Sequence, residues 1–346
     1  MRFSRSKAIL VAMVIILVAM AAERYGLRVR GDSRPQLVLE PAPVAGAGRA
    51  GSTGTVMPAP PFPVTTAGVE LLDVSTGQVL YAHNPNLRFQ VASTTKVMTA
   101  LLADEHHALD RIVTIVPQDI PDPSLDAAVV GLKPGEQYTV RQLIYGMALA
   151  SGYDAAMAVA RAVGGTVANF VVMMNRRAQE LGMHNTHFLN PVGYAFGVAS
   201  GHYSTAHDLA LLMRAFAAHP ELVQIFGTIR YMIPATSTHP ARYLDRTLGT
   251  TLPDSWVGAV PPDAAEPVHD LHLPFRVLAV KKGCMDCLPA DHQISYVLLA
   301  QQGTRVIAGA FVGTTQNYYH PNVGDMLPLL LWVFGDCGTP AARGFC

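Results

Sequence analysis

A serine and a lysine three positions apart are the residues of this chain best suited to nucleophilic chemistry. They are Ser93 and Lys96, in the run Ser93-Thr94-Thr95-Lys96. Residues three apart lie on one face of a helix, so the lysine amine approaches the serine hydroxyl. An uncharged amine can take the serine proton and create a nucleophile without histidine, and N–H groups at a helix start favour an oxyanion. The spacing therefore predicts acyl transfer at Ser93, with Lys96 as general base.

The Ser-x-x-Lys spacing is a weak signal when it stands alone. Ser4-Arg5-Ser6-Lys7 has the same spacing in a basic N-terminal segment where no active site is expected. The structural alternative is that Ser93 is a helix N-cap and Lys96 lies in solvent. The chain has no Gly-x-Ser-x-Gly elbow, no His-Glu-x-x-His motif and only one Cys-x-x-Cys, so neither a metal nor a cofactor is predicted.

The reactive pair falls in the first helix after a predicted hairpin. Apolar residues on both sides of Ser75-Thr76-Gly77 predict strands at 69–74 and 78–82. Helical periodicity follows at 93–103, 139–150, 154–163, 166–181 and 205–218, the last with Ser204 as N-cap. Further strands are predicted at 275–280, 295–300 and 306–312, and a last helix at 325–334. Strands at both ends of the chain, with short links between the last three, predict one antiparallel sheet and an α/β or α+β class.

The N-terminal sequence predicts export. Three basic residues precede an apolar run from 8 to 22, which contains the small-residue site Ala19-Met20-Ala21 typical of signal peptides. The segment 1–25 is therefore either a cleaved signal peptide or a retained anchor in the inner membrane. Residues 26–66 are rich in Pro, Gly and Ala, which predicts a disordered tether.

Composition excludes several classes of protein. Half of the 346 residues are hydrophobic and 14% are charged, which excludes a wholly disordered chain. The 25 basic and 25 acidic residues give a formal net charge of zero, so nucleic acid is not expected as a partner. No later stretch is long and apolar enough to span a bilayer, which excludes a polytopic membrane protein.

All four cysteines lie in the last fifth of the chain, at Cys284, Cys287, Cys337 and Cys346. Export permits disulfides, so all four are candidates for disulfide bonds. Joining near neighbours is the simplest pairing, and the sequence leaves the connectivity open. Residues 335–346 form a Cys-containing C-terminal tail in this interpretation.

The surroundings of Ser93 resemble a known family. Residues 91–101, the hairpin at 72–82 and the run 131–136 are similar to segments of serine D-alanyl-D-alanine carboxypeptidases, the low-molecular-mass penicillin-binding proteins. Asn190-Pro191-Val192-Gly193 and residues 201–210 also resemble family segments, in the same order. The resemblance implies a catalytic domain at 67–334. It also implies a five-stranded antiparallel sheet flanked by helices, shared with β-lactamases, and no extra C-terminal β domain.

The resemblance assigns roles in a second motif. The family has Ser-x-Asn, and the matching residues here are Ser151-Gly152-Tyr153. Ser151 would relay a proton between the nucleophile and the leaving amine. The family Asn holds the lysine and binds the substrate amide, and Tyr153 would have to do so through a hydroxyl on a longer arm. The alternative for Tyr153 is a packed aromatic side chain that has displaced the polar role.

The third motif of the family, Lys-Thr-Gly, reads Lys281-Lys282-Gly283. Lys281 would bind the terminal carboxylate of the substrate and help to keep Lys96 neutral by charge repulsion. Lys282 replaces a threonine hydroxyl, and its ammonium either binds the same carboxylate or points to solvent. The oxyanion hole would use the backbone N–H groups of Ser93 and Cys284, beside a loop that a Cys284–Cys287 disulfide would stiffen.

The resemblance implies an exported enzyme of the periplasm or cell envelope. It would be a serine-type D-Ala-D-Ala carboxypeptidase or endopeptidase acting on peptidoglycan stem peptides, with β-lactams as inhibitors that acylate Ser93. The alternative is a catalytically impaired relative that binds peptidoglycan or an envelope partner, because Tyr153 and Lys282 depart from the family pattern. A β-lactamase or esterase on the same scaffold is a third interpretation. His202 and His207 are expected to serve packing and capping around Ser204.

Overall fold

The computed structural model of the chain describes residues 59–194, 200–245, 273–285, 293–314 and 325–337. The predicted leader at 1–25, the tether as far as residue 58, and both Cys287 and Cys346 lie outside the described residues.

A five-stranded antiparallel sheet organises the fold. Its strands are β1 (Gly68–Asp73), β2 (Val79–His83), β7 (Arg276–Met285), β8 (Gln293–Gln302) and β9 (Arg305–Thr314). They lie in the order β2-β1-β9-β8-β7, and every neighbouring pair is antiparallel. The first two strands of the domain therefore complete a sheet with the last three. This arrangement confirms the predicted sheet built from both ends of the chain and gives an α+β fold.

Helices and two small two-stranded antiparallel sheets complete the fold. The helices are α1 (Lys96–Glu105), α2 (Val140–Leu149), α3 (Tyr153–Gly164), α4 (Val167–Glu180), α5 (Ala206–Phe216), α6 (Pro220–Gly227) and α7 (Met326–Phe334). Short 3-10 turns occupy Ala92–Thr95 and Pro117–Asp119. The small sheets pair β3 (Ile112–Thr114) with β4 (Gln137–Thr139) and β5 (Arg230–Ile233) with β6 (Arg242–Asp245).

The central sheet separates two hydrophobic cores. Successive side chains on a strand point to opposite faces, so Ala279 contributes to one core and Val280 to the other. The larger inner core packs α1 to α6 against the sheet, and the outer core packs α7 against its other face. Among the described residues no single helix is long and apolar enough to cross a membrane. The pairs α3 with α4 and α5 with α6 reach that size only together, and are bent by 84° and 113° between their members.

Most predicted elements are confirmed, and the differences have local causes. Ser204 is not the N-cap of α5, so that prediction was wrong. Thr205 caps the helix, because its hydroxyl accepts a hydrogen bond from the Asp208 N–H at 3.1 Å, whereas Ser204 Oγ lies 2.7 Å from Thr186 Oγ1. The strand predicted at 275–280 continues to Met285, so the third motif lies inside β7. The two small sheets and α6 were not predicted.

The described chain is already packed before residue 67. Phe62 and Val64 lie against the outer core, and the backbone N–H of Thr65 donates to Asp325 Oδ2 at 2.7 Å. The last residues of the predicted tether are therefore part of the folded unit. The tether was predicted from the average composition of residues 26–66. That average did not reveal the apolar side chains and the contact with Asp325 at its end.

Candidate active site

Ser93 lies in the 3-10 turn Ala92–Thr95, which continues directly into α1. Side chains three residues apart eclipse one another in a 3-10 helix, and this brings Lys96 over Ser93. Ala92 has a φ of +47°, a left-handed conformation that is uncommon for a residue with a side chain. Strain of this kind clusters at functional sites, so its position immediately before Ser93 points to a functional turn.

The amine of Lys96 is buried beside the hydroxyl of Ser93. Lys96 Nζ lies 2.9 Å from Ser93 Oγ, and the lysine is 3% exposed. Burial lowers the pKa of Lys96 to about 7, and the Asp154 carboxylate opposes this effect. At neutral pH a substantial fraction of the amine is therefore uncharged and able to accept a proton. Burial is thus the cause of the lowered pKa of Lys96, and the expected help from repulsion by Lys281 stays a prediction.

A backbone carbonyl is the second partner of the Lys96 amine. Nζ donates to the carbonyl oxygen of Val192 at 2.8 Å. The side chain of Asn190 shapes this turn, because its Oδ1 accepts from the backbone N–H groups of residues 192, 193 and 194 at 3.2, 2.8 and 3.2 Å. The turn therefore presents an acceptor to Lys96 without any side chain of the second motif.

Ser151 and Lys281 form a second buried pair. Lys281 Nζ donates to Ser151 Oγ at 3.0 Å and to the carbonyl oxygen of Lys282 at 2.8 Å. Lys281 is 1% exposed and Ser151 is 9% exposed. Ser151 has a φ of +56°, so it too adopts the strained left-handed conformation, in the turn between α2 and α3.

Strand β7 lies directly against the Ser93 turn through Gly283. A Cβ atom on Gly283 would lie 3.1 Å from the Ser93 nitrogen and 3.0 Å from the Thr94 nitrogen, and closer still to the Val91 carbonyl oxygen. Only a residue without a side chain permits this approach. Since Lys281 is two residues away on the same strand, the contact brings the Ser151–Lys281 pair to the neighbourhood of the Ser93–Lys96 pair.

Cys284 follows Gly283 on β7 and is disulfide-bonded, as is Cys337. No cysteine in the described part of the chain is free. Pairing of near neighbours stays a prediction, because both predicted partners lie outside the described residues. The contribution of the Cys284 N–H to an oxyanion hole likewise stays a prediction.

Lys282 is buried rather than exposed to solvent, with 4% of its surface accessible. Burial lowers the pKa of its amine to about 8. Its cross-strand neighbour on β8 is Tyr296, which belongs to the outer core. Because side chains alternate along a strand, Lys281 and Lys282 leave β7 on opposite faces. Lys282 therefore points away from the face of β7 on which Lys281 contacts Ser151. A substrate-binding role for Lys282 stays a prediction.

Tyr153 begins α3 and is half-buried against the inner core. Burial raises the pKa of its hydroxyl, with a further contribution from Tyr194, so the group is protonated at neutral pH. In the described part of the chain its hydroxyl has no hydrogen-bond partner. The packed ring agrees with one of the two interpretations given by the sequence. A polar role for the hydroxyl in substrate binding stays a prediction.

Asp154 is a site residue that the sequence analysis missed. Its buried carboxylate accepts hydrogen bonds of 2.9 Å from the backbone N–H groups of residues 130, 131 and 132. It therefore ties the loop before β4 to the turn that carries Ser151. An acidic residue in the first turn of a predicted helix, directly after the second motif, was the available signal.

The histidines expected around Ser204 have other partners. His202 is fully buried and its Nε2 lies 3.0 Å from Thr95 Oγ1, within the Ser-x-x-Lys turn. His207 Nδ1 lies 2.7 Å from Oε1 of the buried Glu70. Among the described residues, no three His, Cys, Asp or Glu side chains are grouped so that they could hold a metal ion.

Comparisons with known proteins point to one family. A family model described as D-alanyl-D-alanine carboxypeptidase matches residues 56–240. The D-alanyl-D-alanine carboxypeptidase DacF of Bacillus subtilis is 40% identical over 163 residues, covering 46% of this chain and 40% of the relative. The D-alanyl-D-alanine carboxypeptidase of Streptomyces sp. strain K15 is 33% identical over 214 residues, covering 57% of this chain and 70% of the relative.

Solved structures agree with these relatives. The crystal structure of a D-alanyl-D-alanine carboxypeptidase from Mycobacterium tuberculosis aligns with a TM-score of 0.62 and 27% identity, over 82% of this chain and 94% of the solved one. An evolved putative penicillin-binding protein homolog from the same organism aligns with a TM-score of 0.65 and 26% identity, over 81% and 94%. The matched region spans 40% and 61% of the first two curated relatives, about half of their length.

Proposed function

Because this chain belongs to the D-alanyl-D-alanine carboxypeptidase family, we propose that it is an exported serine-type D-Ala-D-Ala carboxypeptidase acting on peptidoglycan stem peptides. The observation that carries the proposal is the buried Lys96 amine, 2.9 Å from the Ser93 hydroxyl and with a pKa of about 7. A general base is most effective when its pKa lies near the working pH. Export rests on the N-terminal sequence, and places the enzyme in the periplasm or cell envelope.

Acylation begins with transfer of the Ser93 proton to the uncharged Lys96 amine. Ser93 Oγ then bonds to the carbonyl carbon of the penultimate D-Ala, and the carbonyl oxygen becomes an oxyanion. In this proposal the backbone N–H groups of Ser93 and Cys284 donate hydrogen bonds to that oxyanion and stabilise its charge.

Collapse of the tetrahedral intermediate breaks the C–N bond to the terminal D-Ala. The leaving nitrogen needs a proton, and Ser151 relays it from the protonated Lys96. Lys281 supports this role because its ammonium holds Ser151 Oγ at 3.0 Å. Water then adds to the ester carbon while Lys96 takes the water proton. The ester bond breaks, and Lys96 gives that proton to Ser93 Oγ, which restores the hydroxyl.

The Lys281 ammonium also supplies the positive charge for the terminal carboxylate of the substrate. It is buried beside Ser151, where an ion pair is screened less than at the surface. β-Lactams present a carboxylate and a strained amide in a similar arrangement. They are therefore expected to acylate Ser93 as substrate mimics.

The Tyr153 departure is compatible with this chemistry for a structural reason. The family Asn was expected to hold the lysine through its amide carbonyl, and here the Val192 carbonyl oxygen accepts from Lys96 at 2.8 Å. The lysine therefore keeps a second acceptor although the Asn is replaced. What Tyr153 changes is substrate binding, because its hydroxyl sits on a longer and more rigid side chain than the amide of the family Asn.

The experiment that tests the proposal is covalent acylation of the full chain by a penicillin, followed by intact mass. We expect one adduct on the natural protein and none on Ser93→Ala. The matched control is Ser75→Ala, an exposed serine in the β1–β2 turn, which should be acylated like the natural protein. Release of D-Ala from a D-Ala-D-Ala peptide then measures turnover.

The outcomes separate the proposal from its alternatives. Folded protein that forms no adduct at high penicillin concentration would overturn the proposal and favour an impaired relative that binds peptidoglycan or an envelope partner. Cleavage of cross-linked dimers in preference to D-Ala release would make the protein an endopeptidase. Rapid loss of the adduct with release of hydrolysed penicillin would favour a β-lactamase.

A further inference from the structure

The side chain of His202 bridges two segments that both lead to Lys96. The histidine lies in the loop before α5 and is fully buried, with its ring edge-on to Phe188 at 5.8 Å between ring centres. It makes one hydrogen bond to Thr95, in the nucleophile turn, and one to Leu189, in the segment that leads to Val192. It does not touch the reacting atoms.

The hydrogen bonds fix the tautomer of His202. The backbone N–H of Leu189 is a donor only, and it lies 3.1 Å from Nδ1. Nδ1 must therefore carry the lone pair, and the neutral ring carries its proton on Nε2. Nε2–H then donates to Thr95 Oγ1 at 3.0 Å. Burial, followed by the nearby His187 and Lys96, lowers the pKa of His202 to about 4, so the ring stays neutral at physiological pH.

Each partner of His202 determines the position of one side of Lys96. Thr95 precedes Lys96 and sits in the turn that aligns its amine with Ser93. Leu189 begins the segment whose Val192 carbonyl oxygen receives the amine at 2.8 Å. The two segments also touch, because a Cβ on Gly193 would lie 2.9 Å from Thr95 Oγ1. A shift of His202 would thus be transmitted to both hydrogen bonds of the Lys96 amine.

We propose that His202 is a positioning residue for the general base, holding Lys96 between Ser93 and Val192 by clamping Thr95 to the backbone of Leu189. The inference rests on the proposed function, since it assigns Lys96 as the base. It replaces the packing role around Ser204 that the sequence indicated. A neutral ring with a defined tautomer suits the role, because a protonated ring would lose its acceptor for the Leu189 N–H and place a second cation near Lys96.

The test compares two replacements in the full chain. His202→Leu fills a similar volume but has neither donor nor acceptor, whereas His202→Gln keeps one of each on its amide. We expect His202→Leu to slow penicillin acylation at Ser93 by about 10-fold to 100-fold, since a misplacement near 1 Å costs about 10²-fold. His202→Gln should recover most of that loss. The matched control is His207→Leu, which removes a histidine that pairs with Glu70 instead.

A pH profile separates positioning from a merely structural role. A loosened Lys96 is better hydrated, so its pKa should rise from about 7 toward that of a free lysine and move the acidic limb of acylation to higher pH. Loss of stability alone would lower the unfolding temperature of His202→Leu and leave this limb unchanged per folded molecule. A folded His202→Leu with the natural rate and limb would overturn the inference, and so would a folded His202→Gln as slow as His202→Leu.

Two further measurements keep the inference testable. If His202→Leu does not fold, Thr95→Val removes the same hydrogen bond with a side chain of the same shape, and the same shift of the limb is expected. If the natural protein is not acylated at all, the proposed function fails on its own. The pKa of Lys96 is then read by competitive labelling with acetic anhydride and peptide mass spectrometry, and an equal value in the natural protein and His202→Leu would overturn the inference.

Discussion

Replacement of Gly283 by alanine should displace the nucleophile. The added Cβ would lie 3.1 Å from the Ser93 nitrogen and still closer to the Val91 carbonyl oxygen, and both are backbone atoms that cannot rotate away. Either β7 or the Ser93 turn must therefore move, by on the order of 1 Å, which costs about 10²-fold in rate at a reacting centre. The overpacking itself should destabilise the fold by about 1–3 kcal/mol.

The assay is the second-order rate of penicillin acylation at Ser93, measured beside thermal unfolding. Gly309→Ala is the matched control, because Gly309 lies in β9 of the same sheet and its added Cβ would meet only side-chain carbons, the nearest being Leu71 Cδ2 at 3.0 Å. We expect a smaller loss of stability in Gly309→Ala than in Gly283→Ala, and a large loss of rate in Gly283→Ala alone. Folded Gly283→Ala that is acylated within about threefold of the natural rate would refute the argument that the β7 contact positions Ser93.

Three further predictions concern the base, the second motif and the acid stability of the fold. Acylation by penicillin should rise with pH through about 7 as Lys96 loses its proton, and a stopped-flow pH profile with no such limb would contradict this. Tyr153→Asn should leave penicillin acylation within about tenfold while lowering the KM for D-Ala-D-Ala peptides, and steady-state kinetics check both. Glu136 is buried, which opposes its charge, but hydrogen bonds from Thr236, Thr238, His239 and the Lys133 N–H outweigh burial and lower its pKa to about 2. Its stabilising effect is therefore complete above the unfolded pKa near 4.5 and lost as the pH falls toward 2, by about 3 kcal/mol in urea unfolding, and Glu136→Gln should remove that dependence.

Residue patterns predicted the regular elements well and their ends less well. The periodicity of apolar residues placed α2 to α5 and the three C-terminal strands, because both depend on which side chains face the core. The N-cap of α5 was missed by one residue, since Ser204 and Thr205 carry the same hydroxyl and only the backbone conformation selects between them. The β5–β6 sheet was not predicted. Its contacts are long-range, such as the hydrogen bond from Thr236 Oγ1 to Glu136 Oε1 at 2.5 Å.

At the candidate site, the sequence predicted the side chains and missed the backbone groups. Ser93, Lys96, Ser151 and Lys281 carry recognisable side chains at recognisable spacings, and the structure brings each into a hydrogen-bonded pair. The Val192 carbonyl oxygen has no such signal, because every residue offers the same backbone carbonyl and only its position in space sets this one apart. The positive φ values of Ala92 and Ser151 could not be predicted either, because alanine and serine rarely adopt a left-handed backbone conformation.

The backbone acceptor explains why Lys96 is well placed although Tyr153 stands where the family has asparagine. If a side chain alone held Lys96, the exchange of asparagine for Tyr153 would leave a buried amine with one acceptor fewer, at a cost of about 1–3 kcal/mol. A backbone acceptor removes that constraint, because the Val192 carbonyl is fixed by the Asn190 turn and by the His202 clamp rather than by the second motif. The second motif is then free to vary in how it binds substrate. Tyr153 should therefore alter which peptides are cleaved more than whether Ser93 is acylated, and the ratio of these two effects in Tyr153→Asn measures how completely the two tasks are separated.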